Sequence, residues 1–330
     1  MESGKVPNEI LNKIVLGKIK NFRNDIILHP GIGEDCAAID FEKYACVLST
    51  DPITAATSDI GQLAVNISCN DVASSGVEPL GLMVTILCPV GTTEAELGNI
   101  MEQLCKTAAE LNVEIIGGHT EVTPAVNKIV LSTTCIGKAL KNEIVSSAGA
   151  RPGDLVVITK SAGLEGTAII ANDFESQLLG KLSKEDINLA KSFIKSISVV
   201  KEGVLAGKFG ATSMHDITEG GVLGAAWEVA EASGTGIIIN KDTIPVEAVT
   251  QSICEALDLN VLRLISSGSM FITCQDGEGL VKNLESNNIR ATIIGSITAN
   301  KNEKLLISKK DGTIKDIEPP SADELYKVKK

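Results

Sequence analysis

Short β-rich apolar runs alternate with helical stretches along this chain, and an acidic or glycine-flanked turn recurs where one hands over to the next. The series runs Gly31-Ile32-Gly33-Glu34-Asp35-Cys36-Ala37, then Ser49-Thr50-Asp51-Pro52, then Asn66-Ile67-Ser68-Cys69-Asn70-Asp71, and last Gly117-Gly118-His119-Thr120-Glu121. Carboxylates presented from element ends suit Mg²⁺, a cation that takes oxygen ligands and shares them with substrate phosphates. Such a series calls for a fold in which several element ends converge on one nucleotide.

The runs Ala45–Ser49, Met83–Leu87, Val113–Ile116 and Ile129–Thr133 read as strands. Between them, Ile60–Ser74 and Thr93–Leu111 read as helices, the second opened by a Thr92 or Thr93 cap and carrying Leu97, Ile100, Met101, Leu104 and Ala108 on one face. A shorter amphipathic helix is expected over Glu9–Phe22. The pattern implies an α+β layout in which helices cover one face of a sheet. A boundary falls at Ala148-Gly149-Ala150-Arg151-Pro152-Gly153-Asp154, where small residues, a glycine and a proline separate two apolar blocks. The second block repeats the alternation. Strands are expected at Leu155–Thr159, Gly236–Ile239, Ser269–Thr273 and Ala291–Ile297, and helices at Thr167–Asn172, Lys184–Ile197 and Val222–Ala232. The charged stretch from Ser308 to Lys330 reads as a surface strand and a loose end.

At 330 residues the chain suits two domains rather than one core. Its 30 basic and 42 acidic residues leave a net charge of −12, which disfavours nucleic acid as a partner. The eight cysteines form no CxxC pair and read as reduced, buried hydrophobes. The N-terminal 21 residues lack the apolar stretch of a signal peptide, and no run is long enough to span a membrane, so a cytoplasmic protein is expected.

Any one aspartate of the series could be a cap or turn former. Asp35, Asp51 and Asp71 together, each beside small residues that permit close backbone approach, favour a shared metal site. Gly117-Gly118 directly follows a strand-like run, so its backbone amides could face a phosphate. His119 could hydrogen-bond a phosphate oxygen or simply pack. His215-Asp216-Ile217-Thr218-Glu219-Gly220-Gly221 feeds a helix N-terminus, either as an anion site or as a cap. GxSxG, HExxH and P-loop signatures do not occur.

In order, GIGEDCA, STDP, DIGQLAVNISCNDVASSGVEP, GGHTEV, GARPGD and HDITEGGV span nearly the whole chain and resemble the PurM-like, or AIR synthase-related, ATP-binding superfamily. The stretches Asp59–Pro79 and Ile244–Cys274 are most similar to its HypE-like hydrogenase-maturation branch. The resemblance implies an N-terminal α/β half, residues 1–150, that binds ATP and Mg²⁺ and dimerises through its sheet into a barrel. It implies a C-terminal α/β half, residues 151–330, for the second substrate. It places metal ligands at Asp35, Asp51 and Asp71. It places nucleotide contacts at Asn70, Gly117, Gly118, Asp216 and Glu219; beside these, the motifs themselves offer Gly31, Gly33 and Thr120 as further nucleotide contacts and Asp71 and His119 as candidate catalytic residues. The implied activity is Mg²⁺-dependent phosphoryl transfer from ATP that activates an oxygen atom, in a homodimer whose partner is another hydrogenase-maturation protein. The chain departs from the branch in ending Glu324-Leu325-Tyr326-Lys327-Val328-Lys329-Lys330 with Cys274 as its last cysteine, where the branch carries a terminal cysteine. It departs from thiamine-monophosphate kinases in having His119 in place of an aspartate, and from selenophosphate synthetases in lacking their N-terminal Cys or Sec with its lysine. A small-molecule kinase and a non-catalytic nucleotide-binding scaffold are the alternative readings.

Overall fold

The computed structural model describes residues 6–53, 59–320 and 322–328. Two sheets organise it. The first has six strands: β1 (Ile26–Leu28), β2 (Ala37–Phe41), β3 (Tyr44–Ile53), β4 (Pro79–Cys88), β5 (Glu114–Val122) and β6 (Val130–Leu140). Their order is β1-β2-β3-β6-β4-β5, with only β4 and β5 running parallel. Alternation sets the two faces: Ala45, Val47 and Ser49 of β3 point to the core while Tyr44 and Thr50 point out.

Helices Ile60–Ser74 and Glu94–Glu110 pack together on the inner face. The second carries the expected capping box. Thr93 Oγ1 accepts from the Glu96 amide at 3.2 Å, and Glu96 Oε2 accepts from the Thr93 amide at 2.8 Å. Ile60–Ser74 has small or apolar residues on nearly all sides, and it is buried between the sheet, Glu94–Glu110 and helix Val200–Phe209. Gly203 lies directly against the Ala73 carbonyl there.

The second sheet comprises β7 (Leu155–Thr159), β8 (Ser213–Asp216), β9 (Gly236–Asn240), β10 (Met270–Cys274), β11 (Ala291–Thr298), β12 (Lys304–Ile307) and β13 (Ile314–Asp316), in the order β13-β12-β9-β11-β7-β10-β8. Helix Gly221–Ser233 packs on β8, β9 and β10. The Leu155–Thr159 strand has the bounds its sequence implied. Its buried run Val156-Val157-Ile158 packs on both faces, as a central strand requires.

One apolar core joins the two halves. Leu63, Leu82, Leu104 and Leu131 share it with Ile170, Leu178, Ile187, Ile253 and Leu264. Polar clasps reinforce the junction. Asn70 Nδ2 donates to the Ile197 carbonyl at 2.9 Å, and the Val199 amide donates to Asn70 Oδ1 at 2.8 Å. Lys160 Nζ donates to the carbonyls of Ser196, Ser198 and Gly268 at 3.1, 2.6 and 2.9 Å and pairs with Glu202 at 2.7 Å.

Two expectations are revised. The Glu9–Phe22 helix is a succession of α, π and 3-10 turns from Asn8 to Lys18, several of whose apolar residues, Ile14 and Val15 among them, remain exposed. The C-terminal stretch is docked through residue 328. Leu325 is buried, Asp323 Oδ2 accepts from the Gly220 amide at 2.8 Å, and Asp323 Oδ1 accepts from the Leu325 amide at 2.8 Å. No described helix is long and apolar enough to cross a membrane.

Candidate active site

Four aspartates meet from four different elements. Asp51 lies near the end of β3 and Asp71 in the last turn of Ile60–Ser74. Asp35 lies in the turn before β2, and Asp216 is the last residue of β8. From sequence, His215 and Asp216 are expected in the segment that feeds a helix N-terminus. Both instead lie within a buried strand that pairs with β10, Met270 opposite Asp216 and Phe271 opposite His215. Asp35, Asp51, Asp71 and Asp216 line one cavity of about 390 Å³, whose lining also includes Glu165 and Glu219.

Hydrogen bonds hold the carboxylates in place. Ser49 Oγ donates to Asp71 Oδ2 at 2.6 Å, and Ser74 Oγ donates to Asp35 Oδ2 at 3.0 Å. His215 Nδ1 lies 2.8 Å from Asp35 Oδ2, and its Nε2 lies 3.1 Å from Glu228 Oε2. Burial alone would lower the His215 imidazole, but Asp35 and Glu228 outweigh it and hold it well above its ordinary value. Asp71 goes up strongly, first because it is buried and then because Asp216, Asp51 and Asp35 repel its charge. A carboxylate so placed ionises readily only when a cation joins it.

The donor set fits Mg²⁺. It consists of hard oxygen ligands on a buried wall, and no described lysine or arginine lines the cavity to neutralise them. Asp35, Asp51, Asp71 and Asp216 would hold the ion. Ligand atoms of Asp35, His215 and Asp216 come within 4.8 Å of one another. Because both His215 nitrogens already face carboxylates, the ring is suited to orienting Asp35 rather than to ligating.

The remaining residues named from sequence are distributed differently. Gly33 lies against Glu228 and lines a smaller cavity with Glu34, Asp35, His215 and Glu228, and Gly31 opens the same turn. Asn70 points away from the large cavity, its amide wholly engaged with residues 197–199. Glu219 lines the cavity and accepts from the Tyr326 hydroxyl at 3.2 Å. Gly117, Gly118, His119 and Thr120 form no loop. The strand expected to stop at Ile116 continues to Val122, because pairing with β4 extends to Cys88 opposite Val122. Gly118 is required by that pairing: at φ +149 its backbone runs so close to β4 that a side chain would meet the Val84 carbonyl. These four residues line neither described cavity. His119 is exposed, its Nε2 3.2 Å from Glu121 Oε2.

Sequence reasoning left out Ser49, Glu165, Glu228 and Ser267. Ser49 stood two residues before Asp51, at the spacing that puts both on one strand face. The others come close only through contacts between distant segments. At the mouth of helix Gly221–Ser233 the chain turns through Gly220 and Gly221, both at positive φ. A side chain on Gly221 would strike the Leu262 and Leu264 carbonyls, so the close approach of these segments depends on glycine.

Two domain profiles account for this architecture. The N-terminal domain of AIR synthase related proteins matches residues 33–139, and the C-terminal domain of the same family matches residues 151–308. A putative hydrogenase expression/formation protein of Methanocaldococcus jannaschii is 31% identical over 312 residues, 89% of this chain and 88% of that protein. The chain belongs to the AIR synthase related family. Among solved structures of similar fold, HypE in a HypE–HypF complex superposes with a TM-score of 0.77 at 24% identity, covering 94% of this chain and 99% of that one. HypE in complex with ATP superposes with a TM-score of 0.69 at 21% identity, covering 98% and 97%. Within the AIR synthase related family the chain is thus HypE-like, with the two-sheet, mixed helix-and-strand architecture of that branch.

Proposed function

We propose that the chain is an ATP-dependent enzyme of hydrogenase maturation that uses Mg²⁺ to transfer the γ-phosphoryl group of ATP to an oxygen atom, activating that oxygen for a later step. The observation that carries this reading is the convergence of Asp35, Asp51, Asp71 and Asp216 on one cavity, with Asp71 raised by burial and then by its charged neighbours. Bound there, the cation supplies charge neutralisation to the phosphates of ATP. Phosphoryl transfer depends mostly on positioning and on such neutralisation. Ser49 and Ser74 fix the Asp71 and Asp35 carboxylates, and His215 Nδ1 holds Asp35 Oδ2 in place. Residues 1–150 would supply most of the ATP site and residues 151–330 the acceptor wall, with Glu165 and Glu219.

The outer face of the first sheet supports a homodimer. Met83, Ile116 and Val122 are 48%, 53% and 59% exposed, and nearly every residue of edge strand β5 is solvent-accessible. A long open edge of this kind pairs readily with another strand, here a second copy. A second maturation protein is the expected partner, as HypF is for HypE.

The reading is tested by titrating the purified chain with the non-hydrolysable analogue AMPPCP in a calorimeter, with and without Mg²⁺, and by following ADP formation from ATP. Micromolar binding that needs Mg²⁺ is expected. Absence of both nucleotide binding and ADP release would sink the proposal.

A further inference from the structure

Helix Gly221–Ser233 buries one charged residue among apolar ones. Glu228 is 5% exposed, and Val222, Leu223, Ala225, Ala226 and Val229 of the same helix are buried with it. Taking a carboxylate out of water carries a large desolvation penalty, and apolar side chains of the same volume often serve stability as well as a buried ion pair does. Stability alone therefore does not account for Glu228.

Glu228 reaches the metal wall at one remove. Its Oε2 lies 3.1 Å from His215 Nε2, and His215 Nδ1 lies 2.8 Å from Asp35 Oδ2. The buried ring is held at both ends, so it can neither turn nor retreat without losing one of these contacts. Asp35 needs such a hold. It stands between the cavity of about 390 Å³ and a smaller one of about 290 Å³ that Gly33, Glu34, His215 and Glu228 line with it, so packing fixes its side chain from neither side. Ser74 Oγ and His215 Nδ1 both grip Oδ2. No hydrogen bond from a described residue engages Oδ1, the oxygen left for a cation. The backbone is matched to the same arrangement. At φ +74, a side chain on Gly33 would meet the Glu228 Cβ and carbonyl oxygen at 3.1 Å, so the turn that carries Asp35 settles directly on the helix that carries Glu228.

We infer that Glu228 is a positioning residue of the second half: acting through His215, it aims Asp35 of the first half at the cation. Glu228 itself does not line the large cavity. The inference rests on the Mg²⁺-ATP reading for what Asp35 holds, while the tether is read from the two contacts of the ring. Outer-shell partners of this kind are worth about ten- to a hundredfold in metal affinity.

The test is a Mg²⁺ titration of the full, nucleotide-free chain labelled with ¹⁵N-histidine and followed by NMR of the ring nitrogens. Of the three histidines, His29 and His119 line neither cavity, so only His215 should answer to the metal. Two conservative variants separate positioning from charge. Glu228→Asp keeps the carboxylate but falls one methylene short of Nε2. Glu228→Gln loses the charge but keeps an amide within reach, which can accept from or donate to Nε2 in either tautomer. The wild type is expected to show a saturable shift, with the midpoint raised about tenfold in Glu228→Asp and kept within about threefold in Glu228→Gln. Equal midpoints in all three proteins, equal losses in both variants, or a greater loss in Glu228→Gln would overturn the inference. Wild-type ring signals that ignore Mg²⁺ would instead sink the cation reading. The tether would then be judged from the metal-free spectra, where Nδ1, the nitrogen facing Asp35, should shift in Glu228→Asp and not in Glu228→Gln. An Nδ1 signal unmoved in Glu228→Asp would overturn it.

Discussion

Two polar stretches that look alike in the sequence have opposite surroundings in the fold. Ser49-Thr50-Asp51 and Gly117-Gly118-His119-Thr120-Glu121 each put small residues beside a polar group near a strand. In β3 the Ser49 and Asp51 side chains face inward, where Ser49 braces Asp71 and Asp51 adds to its repulsion. In β5 the polar groups lie on the open edge of the sheet, where His119 and Glu121 face solvent. Position in the sheet thus separates the two. A residue between other strands inherits charged neighbours from distant segments, whereas an edge residue has only its own strand mates until something pairs with that edge.

The comparison is broken most directly at Asp71. Asp71→Asn is expected to lower Mg²⁺-dependent ADP release by about a hundredfold to a thousandfold, by analogy with the loss of other charge-stabilising groups. It should also raise the melting temperature, since it removes a carboxylate repelled by its neighbours. Turnover within tenfold of wild type would show that the buried wall is not the nucleotide site.

On the edge strand, Gly118→Val should cost several kcal/mol through its clash with the Val84 carbonyl, read as a lower denaturation midpoint. Ile116→Lys should leave the midpoint nearly unchanged yet shift sedimentation from dimer to monomer. A dimer unaffected by Ile116→Lys would mean that β5 pairs with nothing.

A third expectation concerns pH. Burial raises Glu165 to about 7 in the folded chain, above the ordinary value of 4.5, so the protonated form favours the fold below about 4.5 and that contribution is lost as pH rises through about 7. The difference corresponds to about 3 kcal/mol. Glu165→Gln should therefore match wild type near pH 4.5 and exceed it by up to about that amount at pH 8, measured by urea unfolding. A constant difference across the range would mean that Glu165 is not the titrating group.

The smallest effect is expected at His119. His119→Ala should shift the melting temperature of the isolated chain by no more than about 1 °C, since the pair it loses is exposed. A larger shift would mean that His119 is packed, and the contrast with β3 would vanish.

Local signals carried much of the fold. Ile60–Ser74 and Leu155–Thr159 have the bounds read from periodicity, and the Thr93 cap follows from Thr and Glu spaced three apart. The seven residues 31–37 bring Asp35 to the cavity, as their acidic turn suggested. What was not legible depends on pairing across the chain. β8 is four residues long and lies in a strand only because Met270–Thr273 run beside it. β5 outgrew its apolar run because β4 extends it. Asn70 stood next to Asp71 in sequence, but successive helix positions point in different directions, and its amide met residues 197–199 instead. Glu165 lies in a glycine-flanked stretch with nothing local to set it apart.

The segment 196–199 carries one further consequence. Asn70 grips it from the helix that bears Asp71, and Lys160 grips it from the end of β7, beyond which lie Glu165 and its helix. The aspartate wall and the glutamate wall are therefore riveted to a common strut. The Val199 amide, locked inside that strut, should exchange its proton with solvent only when the whole frame comes apart.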